Sequence, residues 1–231
     1  MPFFGTQGTK EKPLNLISPW CSIHSRRFWQ YFWMMFLANV FGGFFCYQFK
    51  TIYLAHNTDV SNADTYMAIA ASLSGVVQFI TRISCGQLYD KVGFKPIFTF
   101  VMFLNMIIGV VCYQVKSITW AFIVCIEFNY MVLGSIYSVF PAPVIKTFGI
   151  YYGPHVYSLV LIAGPLVSIL NLFIIKVIYE ILGVGEEIIL AFGSVCSLAA
   201  LIICCSFDEK IDFKNMNKRG LLVYGDPPQN K

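Results

Sequence analysis

Six apolar stretches, broken by short polar segments, run along the chain at 28–49, 65–87, 96–115, 118–140, 155–179 and 187–206. Each is long enough to cross the hydrocarbon core of a bilayer as a helix, which takes about 20 residues. The pattern predicts an all-α membrane protein. One transmembrane domain of six helices, 28–206, lies between two polar tails, 1–27 and 207–231. Pro96 suits a first helical position, where its missing N–H has no partner to lose. Pro141 and Pro143 predict the end of the fourth helix. The first tail lacks the apolar core of a secretory signal peptide, so the first hydrophobic helix is expected to insert and stay.

Composition agrees. Hydrophobic residues make up 57% of the chain and charged residues 12%, against about 45–50% and about 25% in a soluble domain. The excess apolar surface calls for lipid as solvent. Twelve spans would need about 240 residues before any loop, whereas six need about 120. Charge then sets orientation. With both termini in the cytoplasm, thirteen of the sixteen Lys and Arg residues fall on that side, and only Lys50, Lys116 and Lys176 oppose them. An even number of spans agrees. Trp20, Trp29, Trp120, Tyr151 and Tyr152 fall near the expected interfaces. The net charge of +4 is no nucleic-acid signal, because the basic residues sit in short flanks rather than one stripe. Cys46, Cys85, Cys112, Cys125, Cys196, Cys204 and Cys205 lie in or beside apolar runs and read as small buried hydrophobes. No CxxC pair occurs, so neither a disulfide framework nor a metal site is expected. The three-plus-three spacing is compatible with an inverted repeat, although only the outer loop 50–64 is long.

The most informative segment joins helices two and three: Arg82-Ile-Ser-Cys-Gly86-Gln-Leu-Tyr-Asp90-Lys91-Val-Gly93-Phe-Lys95. Gly86 is expected to let two helices approach, and Gly93 to allow a tight turn. Asp90 supplies an acceptor for a helix N-terminus or an Arg, and Lys91 and Lys95 hold the turn in the cytoplasm. GQLYDKVGFK resembles the GxLxDxxGxK loop of the major facilitator superfamily. The preceding Arg82-x-x-x-Gly86 fits the monocarboxylate and oxalate/formate branch. Phe28-Trp29 with Gly42-Gly43 resembles that branch's seventh helix. Gly134-x-x-Tyr-Ser-Val-Phe-Pro141-Ala, Phe148-Gly149, Gly153 and Val156-Tyr157-Ser158 resemble its tenth helix, the following loop and its eleventh helix. The resemblance spans about 28–206 and implies the C-terminal six-helix half of a twelve-helix transporter. The expected partner is a missing N-terminal half or a second six-helix chain.

Candidate chemistry is sparse. Glu127 is the only acid deep inside a span, about 13 Å down the fourth helix at 1.5 Å per residue. A carboxyl group there is protonated, paired or facing water. Two readings stand: a proton-coupling or substrate-binding acid, and a neutral structural one. Asn39, Gln78 and Asn171 sit in the first, second and fifth helices, which the resemblance places around a central cavity. They could bind a small polar solute or act as interhelical glue. Asn105 is on the third helix, which the resemblance puts at the periphery. Arg82 reads as part of the gating loop, with Gly86, Asp90, Lys91, Gly93 and Lys95. The resemblance further implies that Asp90 caps or pairs at the cytoplasmic start of helix five. Lys176 is placed to snorkel, and His155 reads as an interface histidine.

No HExxH pair or GxSxG turn occurs, and Ser72-Leu-Ser74-Gly75 lacks the glycine expected before an intramembrane serine. An enzyme is not expected, nor is a cofactor. No TVGYG-like filter or Arg-rich sensor helix suggests a channel. The resemblance implies transmembrane transport of a small solute, such as a monocarboxylate, with or without a proton, by alternating access. The plasma membrane is the default location. The alternative is a truncated or degenerate half-transporter, acting as a non-transporting membrane interaction protein. The basic residues that would hold a dianion deep in a cavity are missing, which leaves the solute open.

Overall fold

A computed structural model of the chain describes residues 22–56, 60–149, 152–181 and 185–207. These are helical almost throughout. α1 is Arg26–His56, α2 Val60–Val92, α3 Phe94–Val115, α4 Thr119–Val139, α5 Pro141–Phe148, α6 Gly153–Leu161, α7 Ala163–Phe173 and α8 Glu186–Ser206. A π-helical segment, Ile174–Ile181, prolongs α7. Among the described residues six helical runs are long and apolar enough to cross a membrane. They are α1, α2, α3, α4 with α5, α6 with α7, and α8. The chain therefore has the make-up of a multi-pass membrane protein.

Local chemistry explains the ends. The Phe28 N–H donates to Ser25 Oγ at 3.2 Å, so Ser25 caps α1 in the manner of small hydroxyl residues. Gly93 has φ 85 and ψ −178, and Gly149 has φ 89 and ψ 161. That region of backbone space is essentially open to glycine alone. The second and third spans are thus joined by one residue, and Gly149 ends the fourth.

Several expectations change. The fourth span does not end at Pro141. Phe140 keeps right-handed helical angles, Pro141 opens α5, and the run continues to Phe148. A proline at a first helical position lacks only a donor that would be unpaired anyway. The outer loop 50–64 is mostly helix, because α1 reaches His56 and α2 starts at Val60. Phe207, assigned to the tail, is buried and packs its ring 4.9 Å from that of Tyr31. Arg26 and Arg27, assigned to the first tail, open α1, while Trp20, Tyr151, Lys10, Lys12 and the basic residues of the second tail lie outside the described residues.

α1 is the hub of the bundle. It packs against α4, α6, α7 and α8, while α2 leans mainly on α4, and α3 on α8 and α4. Gly193 makes one crossing possible: a Cβ there would come within 2.9 Å of the Phe41 Cβ and 3.2 Å of its Cα. At the end where α1 begins, Tyr31, Phe94, Phe98, Phe140 and Phe207 form an edge-to-face aromatic cluster. Tyr31 Oη donates to the Pro143 carbonyl at 3.2 Å and lies 3.0 Å from Thr147 Oγ1. At the opposite end Lys50 pairs with Asp64 at 2.8 Å, and Tyr53 meets Thr119 at 2.9 Å. The two ends gather alternate helix termini, as an up-and-down bundle requires.

Candidate functional site

α2 carries two unlike exposed flanks. Its buried stripe is Ala63, Met67, Ala70, Ser74 and Thr81. At about 100° per residue, Asp64, Ala68, Ala71, Gly75, Arg82 and Gly86 fall within a sector of roughly 60° on one side of that stripe. The other side is aliphatic: Ile69, Leu73, Val76, Ile80 and Ile83, all exposed. Aliphatic side chains suit lipid. The flank of small residues around Arg82 does not, because a cation inside a span faces protein or water rather than acyl chains.

α4 brings its own polar stripe to the same region. Glu127, Tyr130, Gly134 and Tyr137 share one face by their spacing. Gly134 sits against Gln78 of α2, where a Cβ would meet the Gln78 carbonyl oxygen at 3.1 Å. The Ser74 hydroxyl lies 3.2 Å from Glu127 Oε1. Among the described residues the second carboxyl oxygen of Glu127 is buried with no hydrogen-bond partner. Tyr130 stands close enough to Glu127 to act on it electrostatically and bonds to the Cys46 thiol of α1. About 12 Å further along α2, eight residues at 1.5 Å each, Arg82 acts electrostatically on the Tyr137 and Tyr157 hydroxyls. Tyr157 Oη donates to the Tyr137 carbonyl at 3.5 Å. Tyr47 of α1 donates to Ser168 of α7 at 3.2 Å. One face built from α1, α2, α4, α6 and α7 thus holds an acid at one height and a guanidinium among tyrosines at another. Tyr137 and Tyr157 stood in motifs of the sequence and Tyr47 and Tyr130 did not; only the helix rotations gather them into one band.

The structure treats the sequence candidates unevenly. Arg82 is helical, as the expected span 65–87 has it, but α2 runs ten residues past it to Val92. It lies inside the span, about 15 Å from the helix end, and Ser138 donates to its carbonyl at 2.7 Å. Gly86, Asp90 and Lys91 are likewise helical, Gly93 alone forms the turn, and Lys95 lies in the first turn of α3. Gly86 is not where the helices come closest: a Cβ there would meet only Ser138 Oγ, at 3.7 Å. Gly134 is the close approach instead. Asp90 points to solvent, and no hydrogen bond or ion pair engages its side chain among the described residues. The expected contact with the start of α6 is therefore not made here, since Asp90 occupies the outward side of the last turn. His155 is exposed in the first turn of α6, and Lys176 is exposed near the far end of that span.

The amides divide as well. Asn39 is buried and donates to the Met35 carbonyl of its own helix at 2.7 Å. Asn105 of α3 donates to Ser197 of α8 at 2.9 Å, which is helix glue. Asn171 is fully buried beside Gly43, with neither amide atom bonded. Asn129, which no sequence pattern singled out, is fully buried. It donates to the Gly42 carbonyl and the Cys46 sulfur, each at 3.4 Å, and its Oδ1 has no partner. Gly42 and Gly43 admit these two amides: a Cβ on Gly42 would meet Leu133 at 2.8 Å and Asn129 Oδ1 at 3.4 Å, and one on Gly43 would meet Asn171 Nδ2 at 2.6 Å. Among the described residues no group of three His, Cys, Asp or Glu side chains could hold a metal. Most cysteines are buried or half-buried as expected, but Cys205 is exposed. Cys85 donates to Ser135 at 3.2 Å.

No protein-family model and no curated protein matches the chain. Its function is read from this geometry.

Proposed function

We propose that the chain is one six-helix half of a secondary transporter of the major facilitator type, moving a small organic anion such as a monocarboxylate together with a proton. The single observation behind this reading is the face shared by α1, α2, α4, α6 and α7, on which Arg82 and Glu127 lie within spans at different heights. A guanidinium flanked by phenol hydroxyls suits a carboxylate. A carboxyl group with one bonded and one free oxygen suits a proton that comes and goes. Both groups need water or protein opposite them, which a second six-helix unit around a central cavity would supply. Alternating access then rocks the two units about that site. A three-plus-three inverted repeat within the chain and residence in the plasma membrane belong to the same proposal.

The test is uptake into liposomes holding the full chain with its partner unit. A pH gradient should drive accumulation of a labelled monocarboxylate. Glu127→Gln should abolish that accumulation and spare exchange of solute for solute, while Glu127→Ala should impair both. Accumulation by Glu127→Gln at the wild-type level would remove the proton from the mechanism. No uptake and no solute binding by the unaltered assembly would leave a membrane interaction protein.

A further inference from the structure

The Ser74 hydroxyl holds one proton but faces two acceptors. Its Oγ lies 2.8 Å from the Ala70 carbonyl oxygen and 3.2 Å from Glu127 Oε1. Ser74 is almost wholly buried, so no solvent relaxes the conflict. A hydroxyl is one donor and two lone pairs. Within a helix, serine back-bonds readily to the carbonyl four residues earlier, and here that contact is the shorter one. The carbonyl therefore takes the hydroxyl proton, which leaves Ser74 Oγ facing Glu127 as an acceptor. Two acceptors face to face repel, so the pair is satisfied when Glu127 brings the proton.

We infer that Ser74 is a positioning residue for the proton on Glu127: protonated Glu127 donates to Ser74 Oγ and ties α4 to α2, and loss of the proton unties them. No bond other than this hydrogen bond is made or broken, and the proton passes between Glu127 and water. The inference rests on the reading of Glu127 as the coupling acid and adds the partner that senses its state. It also explains why one carboxyl oxygen is bonded across helices while the other is left without a partner.

Among the described residues the surroundings supply no rival. On α4 the neighbouring titratable group is Tyr130, which is linked to Cys46 on α1. On the small-residue flank of α2 the charged groups are Arg82, two turns away beside Tyr137, and Asp64, nearly three turns away in the other direction and paired with Lys50. α3 packs on α4 but turns Cys112 towards Cys125 rather than towards Glu127. No cation among these stands beside the carboxyl group, so the serine decides how the proton is held.

Infrared difference spectra of the full chain in lipid, recorded against pH, test this without requiring transport. A protonated-carboxyl band that appears on acidification and vanishes in Glu127→Gln belongs to Glu127. In Ser74→Ala the acid loses the acceptor that favours its neutral form. The pH profile of the band should then move to lower pH by roughly half to one unit, the scale of one net hydrogen bond. Ser74→Thr keeps the hydroxyl and should keep the wild-type profile. A profile unchanged in Ser74→Ala, or moved to higher pH, overturns the inference, because the hydroxyl would then be a bystander or a donor to the carboxylate. A failure of transport coupling in Glu127→Gln liposomes bears on the proposed function and leaves this spectrum standing.

Discussion

The α3–α8 side of the bundle and the face shared by α1, α2, α4, α6 and α7 use the same residue types for opposite ends. On the α3–α8 side, Asn105 reaches Ser197 across the helix pair. Gly193 is there because the Phe41 backbone leaves no room for a Cβ. Asn105 leaves one buried atom there, its Oδ1, unbonded, whereas on the other face Asn129, Asn171 and Glu127 together leave four unbonded among the described residues. Gly75 lies in open space, with nothing within 4 Å of where a Cβ would stand. A buried polar atom without a partner costs free energy, on the order of 1–3 kcal/mol. A side of the molecule that carries several such atoms is not optimised for static packing. The contrast separates glue from a working surface by how fully hydrogen-bonding capacity is used, not by which residues are present.

Substitutions can break or sharpen that contrast. The largest effect is expected at Arg82. Arg82→Gln should lower anion uptake about 10- to 100-fold, the equivalent of losing a charge-assisted hydrogen bond, with thermal stability in detergent unchanged because the side chain is exposed. Asn105→Leu should do the reverse and lower the melting temperature while sparing uptake. If both substitutions act on uptake alike, the two sides are not functionally distinct. Next come the glycines. Gly193→Ala forces a methyl group into the Phe41 backbone and should cost about 1–3 kcal/mol in denaturation. Gly75→Ala meets nothing and should stabilise α2 by roughly 0.5–1 kcal/mol through helix propensity. Equal effects at the two positions would contradict the packing described. The smallest effect belongs to the end where α1 gives way to α2. Lys50 and Asp64 pair at 2.8 Å with side chains 55% and 81% exposed, so Lys50→Ala should change stability by no more than about 1 kcal/mol and less still at high salt. A larger loss would mean that this pair latches α1 to α2.

Part of this was legible in advance. The six apolar runs, the even number of spans and the turn glycine Gly93 follow from local chemistry. Hydropathy is a sum over about twenty neighbours in sequence, and a backbone with φ near 85° excludes side chains wherever it occurs. Glu127 stood out because a carboxyl group inside an apolar run is rare. The helix ends were read less well. Pro141 was expected to stop a helix that continues through it, because a proline reads alike as a stop and as a first helical residue.

Sequence alone thus determined the number and solvent of the helices and picked out the lone acid, since each depends on residues adjacent in the chain. It could not find Asn129 behind Gly42, gather the tyrosines around Arg82, or bring Ser74 to Glu127. Those outcomes depend on how each helix is rotated about its axis and at what height it meets its neighbours. Contacts such as Gly134 against Gln78, Gly193 against Phe41 and the asparagine pair against Gly42 and Gly43 decide them. Such contacts join residues tens of positions apart, and only close packing of the whole bundle selects among the rotations that hydropathy leaves equal.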